Sequence, residues 1–357
     1  MVKYNKIADK LVPYQIPSTT EYKYKMDMGE WFLPIHPSVK EQLTIFNDLS
    51  KYGVVDTDFN NFINLVKKYN GITNQLDTIL ITNGSDNALR LVLELYATPE
   101  SKILLPVPSY VHFECMLDTK SVDSIDKPYI DYKLTNDQLN DFLLEKLANN
   151  YDLCYFVNPS MPIGHMLTHE NISHMLKTYP DTMFIIDEAY VEFSNSQSCS
   201  TLTEVYSNII VIRTFSKFFS LASLRLGYLI TCETNIKHLR PYYNNKDITK
   251  LAILCGIQTL MNLDFYVKNK TEYFKLKEYI ITRLNLLIKS NTKITDYIMN
   301  DGVYFTLIST NPAELKKYFN TNDVAVRNKD SDIKGAIRIT INDFDSMKYV
   351  FDILENY

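Results

Sequence analysis

Two runs of sequence, Met183-Phe184-Ile185-Ile186-Asp187 and Ile209-Ile210-Val211-Ile212, indicate what kind of fold the chain adopts. Apart from the final Asp187, both runs are apolar throughout, without the polar alternation of a strand that has one wet face. Strands of this kind are covered on both faces, as in parallel sheets that carry helices on each side. Four similar runs alternate with helical patterns, and this alternation predicts an α/β fold with a mostly parallel sheet. They span residues 79–82, 103–106, 153–157 and 226–230.

The pattern changes after about residue 240. A long helical stretch over 248–289 precedes short predicted strands at 302–308, 324–327 and 336–341 and a last helix over 344–354. We therefore predict three parts, with boundaries where the pattern changes. They are an N-terminal arm over 1–25, a large α/β/α domain over 26–240 and a smaller α+β domain over 241–357.

The composition of the 357 residues excludes several classes of protein. Apolar residues make up 46% and charged residues 22%, which is close to globular averages and excludes wholesale disorder. Because 37 Lys and Arg stand against 42 Asp and Glu, for a net charge of -5, we expect no nucleic-acid partner and no membrane anchor. The five cysteines form no Cys-x-x-Cys pair, which disfavours disulfides and thiolate zinc sites and favours the reducing cytoplasm.

Polar residues directly follow four of the predicted strands, at the edge where sheets of this kind bind ligands. At the first, Asn83-Gly84-Ser85-Asp86 offers a tight turn and helix-start amides that can bind phosphate, although a plain helix cap also explains it. At the second, residues 158–164 contain Asn158, two prolines and a glycine, which make a rigid turn with or without chemistry.

The third and fourth strand ends carry an acid and a lysine. Asp187 can be a helix cap, a metal ligand or the partner of a buried cation, and a metal is disfavoured because no histidine or carboxylate cluster lies at ligand spacing. Lys217 stands among apolar and aromatic neighbours, where holding a charge is costly, and this suits an amine that attacks carbonyl groups. Ser216 and Arg225 can satisfy a phosphate dianion. The alternative for Lys217 is a surface lysine beside a helix start.

Together, a phosphate cradle, a buried acid, a reactive lysine and an arginine are what pyridoxal phosphate requires of a protein. In order and spacing these segments resemble the class I/II, fold-type I aminotransferases. Residues 158–164 resemble the motif N-P-x-x-P-x-G, residues 187–190 the motif D-E-A-Y, and residues 216–228 the motif S-K-x(7)-R-x-G-Y/F. Within the family the chain is most similar to the histidinol-phosphate aminotransferase branch. This similarity lies in residues 12–15, Tyr52, residues 326–327 and residues 337–340.

The resemblance implies a role for each matched residue in binding the cofactor. Lys217 would carry pyridoxal phosphate as a Schiff base and move the substrate proton, and Asp187 would pair with the pyridine nitrogen. Tyr190 and Asn158 would hydrogen-bond the phenolate oxygen. Tyr110 would stack on the ring, unless it is a half-buried core tyrosine. The residues implied to hold the phosphate are Ser85, Asp86, Ser216, Arg225 and, from the other subunit of a homodimer, Tyr52.

The resemblance also implies the kind of substrate. Arg338 would grip an α-carboxylate, and Arg327 and Tyr14 a second anionic or polar group, unless either arginine is a surface charge. The implied reaction is amino transfer between an amino acid such as glutamate and a keto compound, with histidinol phosphate and imidazole acetol phosphate as one pair. The segment Gly29-Glu30-Trp31, expected to line the substrate pocket, departs from the asparagines that most relatives have at positions 29 and 31. This departure leaves the identity of the substrate open.

Two other functions are compatible with parts of the pattern. A decarboxylase acting on a phosphorylated amino acid shares the architecture, because function resides in the substrate pocket. A non-catalytic, aminotransferase-like regulator would carry an additional DNA-binding segment. The short arm before Gly29 and the acidic net charge disfavour the regulator.

Overall fold

The computed structural model describes residues 6–11, 20–31, 33–47, 50, 52–53 and 57–357. The strands are β1 Tyr24–Lys25, β2 Ile79–Asn83, β3 Lys102–Leu104, β4 Ser124–Asp126, β5 Leu153–Val157, β6 Met183–Asp187, β7 Ile209–Thr214, β8 Leu226–Ile230, β9 Ile294–Ile298, β10 Tyr304–Ser309, β11 Val324–Ala325, β12 Arg327–Asn328 and β13 Ala336–Thr340. The helices are α1 Pro37–Ile45, α2 Thr57–Tyr69, α3 Gly84–Tyr96, α4 Val111–Asp118, α5 Asn136–Leu147, α6 His169–Thr178, α7 Glu233–Leu239, α8 Lys250–Met261, α9 Leu263–Ser290, α10 Pro312–Thr321 and α11 Phe344–Leu354.

Seven strands form the large sheet, in the order β2-β8-β7-β6-β5-β3-β4. Neighbouring strands are parallel except where β8 pairs with β2 and β7. This arrangement confirms the predicted mostly parallel sheet. The register of β6 places Asp187 beside Val157 of β5 and Ile212 of β7, so the carboxyl ends of these strands lie at one edge.

Successive residues of the central strands enter two separate apolar cores. Tyr155 and Ile185 belong to the larger core, whereas their neighbours Phe156 and Ile186 belong to the second. Each of these four residues is at most 7% exposed. Because successive side chains of a strand point to opposite faces, the sheet is covered on both sides. This burial is the physical reason that the strands lack polar alternation.

The C-terminal part of the chain forms an antiparallel sheet in the order β12-β13-β10-β9. Arg327 of β12 and Arg338 of β13 are cross-strand partners, so their side chains project from the same face. A separate parallel pair, β1 with β11, joins the N-terminal segment to this part of the chain. The division of the chain into an arm and two domains stays a prediction.

The structure differs from the sequence-based predictions in two respects. The helical stretch over 248–289 consists of two helices, α8 and α9, which are separated at Asn262. The Asn262 side chain donates to Ser38 Oγ at 3.2 Å and to the Gln258 carbonyl at 2.7 Å, and these bonds fix the break. Strands β1, β4 and β9 have no counterpart among the predicted strands, and the predicted strand over 324–327 is two strands, β11 and β12, which belong to different sheets. In the part of the chain described here, no helix is both long and apolar enough to cross a bilayer.

Candidate active site

A cavity of about 390 Å³ opens at the carboxyl edge of the large sheet. The last residues of β5, β6 and β7 form one side of it, and residues of β12 and β13 form another. Most of the predicted site residues line this cavity. They are Ser85, Asp86, Tyr110, Asp187, Tyr190, Ser216, Lys217, Arg225, Arg327 and Arg338.

Lys217 lies in a tight turn that follows β7. The Ser216 N–H donates to Thr214 Oγ1 at 3.1 Å, and the threonine hydroxyl donates to Ser216 Oγ at 3.0 Å, which holds the turn. The Lys217 Nζ donates to the Met28 carbonyl at 3.3 Å and lies 5.6 Å from the centre of the Tyr190 ring. Among the described residues it makes no ion pair, so a group that binds the lysine has to replace only its hydrogen bond to this carbonyl.

Gly29 lies directly against this lysine. Its φ is +69°, and a Cβ there would lie 3.1 Å from the Tyr190 hydroxyl and 3.7 Å from Lys217 Nζ. Its N–H donates to Thr340 Oγ1 at 2.9 Å, which ties the segment to the small sheet. Glycine adopts this left-handed backbone without strain. The departure from asparagine at position 29 therefore keeps the space in front of Lys217 open.

Trp31 does not line the cavity, and the expectation for this part of the segment Gly29-Glu30-Trp31 is wrong. Trp31 is 4% exposed, and its ring packs edge-on against Phe193 and Tyr273, with ring centres 4.9 and 5.3 Å away. The indole joins an aromatic core because burying its large apolar area is favourable there. Glu30 does line the cavity, so this segment contributes an acid to the site.

Asp187 is a buried acid at the end of β6. Its Oδ2 accepts from the Tyr155 hydroxyl at 3.0 Å, and its Oδ1 accepts from the Ala189 N–H at 3.1 Å. Burial raises the pKa of Asp187 to about 6, although both hydrogen bonds act in the opposite direction. A cation in front of this carboxylate would favour its charged form.

The start of helix α3 faces a guanidinium. The helix begins at Gly84, and the Asn83 side chain does not cap it, so the plain cap considered for this segment is not formed. The φ of Gly84 is +72°, and a Cβ there would lie 2.6 Å from Arg225 Nη2. The first N–H groups of α3 therefore lie beside a cation and have no side-chain acceptor from the cap residue, which is the arrangement that binds an anion.

Asp86 links the side chains around this helix start. Its Oδ2 lies 3.2 Å from Arg225 Nη2, and its Oδ1 accepts from the Tyr110 hydroxyl at 2.8 Å. His112 Nδ1 lies 3.6 Å from the same Oδ1. Burial and then the charge of Asp86 raise the pKa of Tyr110 further above neutral pH, where its hydroxyl is in any case protonated and can donate. Asp86 thus orients both the tyrosine and the arginine.

Arg338 is a buried cation that makes no ion pair with the described residues. It is 5% exposed, its Nη2 donates to the Asp27 carbonyl at 2.7 Å, and its Nη1 donates to Met161 Sδ at 3.1 Å. Its Nε has no hydrogen-bond partner in the part of the chain that the structure describes. A buried guanidinium with neutral partners is suited to receive an anion, because charge-assisted pairs are the strongest hydrogen bonds available to it.

Lys329 shares a wall of the cavity with Arg327 and Arg338, and sequence reasoning missed it. It is 5% exposed, and its Nζ donates to Asp332 Oδ2 at 2.5 Å. Burial lowers the pKa of Lys329, while the charge of Asp332 acts in the opposite direction. Three cations therefore line this side of the cavity.

Two predicted residues, Asn158 and Tyr52, do not line the cavity of this chain. Asn158 is buried, and its amide bonds both backbone groups of Leu167, with Oδ1 accepting at 2.8 Å and Nδ2 donating at 3.0 Å. Tyr52 is 61% exposed, and Lys246 Nζ lies 5.3 Å from the centre of its ring. Tyr14 lies outside the described residues.

The family model for aminotransferases of class I and II matches residues 26–353. The chain belongs to this family. This aminotransferase is 29% identical to dihydroxyacetone phosphate transaminase Cj1437c of Campylobacter jejuni, over 99% of its own length and 96% of that protein. It is 30% identical to histidinol-phosphate aminotransferase of Buchnera aphidicola subsp. Schlechtendalia chinensis, over 79% of its own length and 76% of that protein.

The fold of this aminotransferase is also similar to solved structures. Histidinol-phosphate aminotransferase from Sinorhizobium meliloti, in complex with pyridoxal-5'-phosphate, matches it with a TM-score of 0.84 at 16% identity, covering 100% of this chain and 98% of that one. The fold-type I architecture and the resemblance to the histidinol-phosphate aminotransferase branch are confirmed. The family uses pyridoxal phosphate, and the chain is a pyridoxal-phosphate-dependent aminotransferase.

Proposed function

We propose that this aminotransferase moves an amino group between an amino acid, glutamate being the first to test, and a small keto compound that carries a phosphate ester. The observation that carries the proposal is the wall of three cations formed by Arg327, Lys329 and Arg338. One arginine suffices for an α-carboxylate, and the other two cations can neutralise a dianion. By their names, the two relatives described above act on dihydroxyacetone phosphate and histidinol phosphate, and both compounds carry a phosphate ester.

The residues at the start of α3 fit the phosphate of the cofactor. Uncapped helix amides and the Arg225 guanidinium lie side by side, and a Cβ at Gly84 would fill the space between them. We infer that Ser85, Ser216 and Arg225 hold the phosphate. Asp86 would keep the guanidinium in place through its contact at 3.2 Å.

The residues around Asp187 fit the ring of the cofactor. Pyridoxal phosphate, when bound, supplies an electron sink for the negative charge that develops at the substrate's Cα. We infer that Asp187 pairs with the protonated pyridine nitrogen, because that cation would oppose the effect of burial on its carboxyl group. Tyr110 would cover the ring. Tyr190 would hydrogen-bond the phenolate oxygen. Asn158 would do so as well, because it directly follows Val157, which lines the cavity, and its Nδ2 retains a second N–H after bonding Leu167.

Lys217 and Arg338 would act on the substrate. Arg338 would bind the α-carboxylate through its planar fork and so orient the Cα–H bond. We infer that Lys217 Nζ takes the proton from Cα, as a general base must do from hydrogen-bond distance. Its hydrogen bond to the Met28 carbonyl is long, at 3.3 Å, so the lysine can give it up for this role.

We also infer a homodimer with a shared cavity. The Tyr52 ring is exposed and does not line the cavity of its own chain. Gly53 holds this segment against the start of α8, because a Cβ there would lie 2.6 Å from the Lys250 nitrogen. An exposed aromatic ring on a closely packed segment suits contact with a second copy of the chain. The cytoplasmic location inferred from the cysteines stays a prediction.

Single-turnover mixing of the loaded enzyme with separate amines tests the reaction. We expect glutamate and histidinol phosphate each to change the cofactor absorbance, and we expect a keto compound to restore it. A response to glutamate or aromatic amino acids, but to no phosphorylated amine or ketone, would contradict the phosphate-ester part of the proposal. Release of carbon dioxide from a phosphorylated amino acid, without amino transfer, would replace the proposal with the decarboxylase alternative.

A further inference from the structure

Lys329 lies next to Arg327 and Arg338 in the lining of the cavity. Its N–H donates to the Ala336 carbonyl at 2.9 Å, so the ladder between β12 and β13 continues one step beyond the pair Arg327 and Arg338. Residues two apart in a strand share a face, which places Lys329 on the same face as both arginines. The residue opposite, Ala336, has only a methyl group as its side chain, which offers the lysine side chain no hydrogen-bond acceptor.

The Lys329 ammonium has N–H donors that meet no acceptor among the described residues. It carries three N–H donors, and among the described residues it makes one hydrogen bond, to Asp332. The residue is 5% exposed and lines the cavity. A buried ammonium with unused donors is costly unless an anion or polar group meets it. The wall of the cavity thus offers a second anion site beside the one at Arg338.

The turn that carries Lys329 does not depend on this ion pair. The N–H groups of Asp332 and Ile333 both donate to the Lys329 carbonyl at 2.9 Å. The Gly335 N–H donates to Asp330 Oδ1 at 2.7 Å and closes the turn. These bonds define the turn without the Lys329 side chain, and a purely structural role does not explain why a lysine is buried here.

We propose that Lys329, together with Arg327, binds the phosphate group of the substrate and determines the preference for phosphorylated compounds. A phosphate dianion has three oxygens that can accept from both cations, whereas a carboxylate brings half the charge. Lys329 would then share its donors between Asp332 and the substrate. The inference rests on the proposed function and names the residue that selects its substrate class.

Matched pairs of substrates that differ only in the phosphate test this role. The measurement is kcat/KM with histidinol phosphate against histidinol, and with dihydroxyacetone phosphate against dihydroxyacetone, for the parent enzyme and for Lys329→Met. Losing a hydrogen bond to a charged group should lower kcat/KM for a phosphorylated substrate about 10- to 100-fold. The values for the unphosphorylated partner and for glutamate should change less than about threefold.

Two further variants separate substrate binding from a structural role. Asp332→Asn removes the carboxylate that competes with substrate for Lys329, so this variant should keep or increase the preference for phosphorylated substrates. If Lys329 and Asp332 formed only a structural ion pair, Asp332→Asn would instead lower kcat/KM in the same way as Lys329→Met. Lys334→Met removes a neighbouring lysine whose side chain is 93% exposed, and it should behave like the parent enzyme.

The outcomes distinguish a failure of the proposed function from a failure of the role of Lys329. A parent enzyme that does not prefer either phosphorylated compound overturns the proposed function and this inference with it. If the parent enzyme prefers phosphate and Lys329→Met retains that preference, Lys329 has no such role although the proposed function stands. Equal losses with phosphorylated and unphosphorylated substrates, in Lys329→Met and Asp332→Asn alike, would also overturn the role of Lys329.

Discussion

Replacing Tyr155 by phenylalanine should raise the pKa of Asp187 further. The Tyr155 hydroxyl donates to Asp187 Oδ2 at 3.0 Å, and this bond favours the charged carboxylate over the neutral acid. Burial outweighs it and holds the pKa of Asp187 at about 6. A hydrogen bond to a charged group contributes roughly 1.5–3 kcal/mol, or about 1–2 pKa units. In Tyr155→Phe the pKa of Asp187 should therefore be higher than in the parent enzyme by about that amount.

Cofactor affinity as a function of pH reports this change. We expect the affinity of the parent apoenzyme for pyridoxal phosphate to fall as the pH drops through about 6, because neutral Asp187 no longer attracts the protonated ring nitrogen. For Tyr155→Phe the fall should begin about 1–2 pH units higher. Titration of the cofactor's own phosphate affects both proteins equally, so the difference between the two profiles belongs to Asp187.

A second buried tyrosine provides the control. The Tyr273 hydroxyl donates to the Gly302 carbonyl at 2.6 Å, and the residue is 1% exposed. Tyr273→Phe loses a buried hydrogen bond without changing the bonds to Asp187, so its pH profile should match that of the parent. An unchanged profile in Tyr155→Phe, or an equal shift in Tyr273→Phe, would show that the Tyr155 hydroxyl does not set the pKa of Asp187.

Three other variants test separate parts of the site. Gly84→Ala should weaken binding of pyridoxal phosphate, because its Cβ would lie 2.6 Å from the guanidinium of Arg225. Gly71→Ala is the control: it has a similar φ of +68°, but its nearest neighbour would lie 3.4 Å away, so it should leave binding unchanged. Equilibrium titration with the cofactor measures the affinity of both variants. Arg338→Ala should lower kcat/KM for glutamate on the order of 10²-fold, and a loss under about threefold in steady-state kinetics would count against it. Tyr52→Phe should release cofactor faster on dialysis, and an active monomer in sedimentation would contradict the shared cavity.

Much of the site could be predicted because the sheet geometry brings distant residues together. Asp187, Lys217 and Gly84 each follow an apolar run, and the carboxyl ends of parallel strands meet at one edge. The structure places Asp187 and Lys217 in the lining of the cavity and Gly84 beside Arg225, which also lines it. The long apolar runs also predicted the sheet, since burial on both faces leaves no polar alternation.

The residues that sequence reasoning missed have no periodic signal. Lys329 follows β12, which is two residues long and too short to show which face a side chain takes. Trp31 lies in an irregular segment, where spacing does not indicate the direction of a ring. Tyr155 was visible as a tyrosine in an apolar strand, but its contact with Asp187 depends on the register between β5 and β6. Strand β9 is different, because its sequence did carry a signal. It contains Thr295 and Tyr297 between two isoleucines, which is a composition typical of strands.

We propose that Lys217 is the lysine that holds pyridoxal phosphate at this cavity. Reduction of the loaded enzyme with borohydride, followed by peptide mapping, measures this directly, because reduction makes the bond between cofactor and lysine permanent. We predict the pyridoxyl group on Lys217, with the other cavity lysine, Lys329, unmodified. A pyridoxyl group on Lys329 or any other lysine, with Lys217 unmodified, would contradict the account.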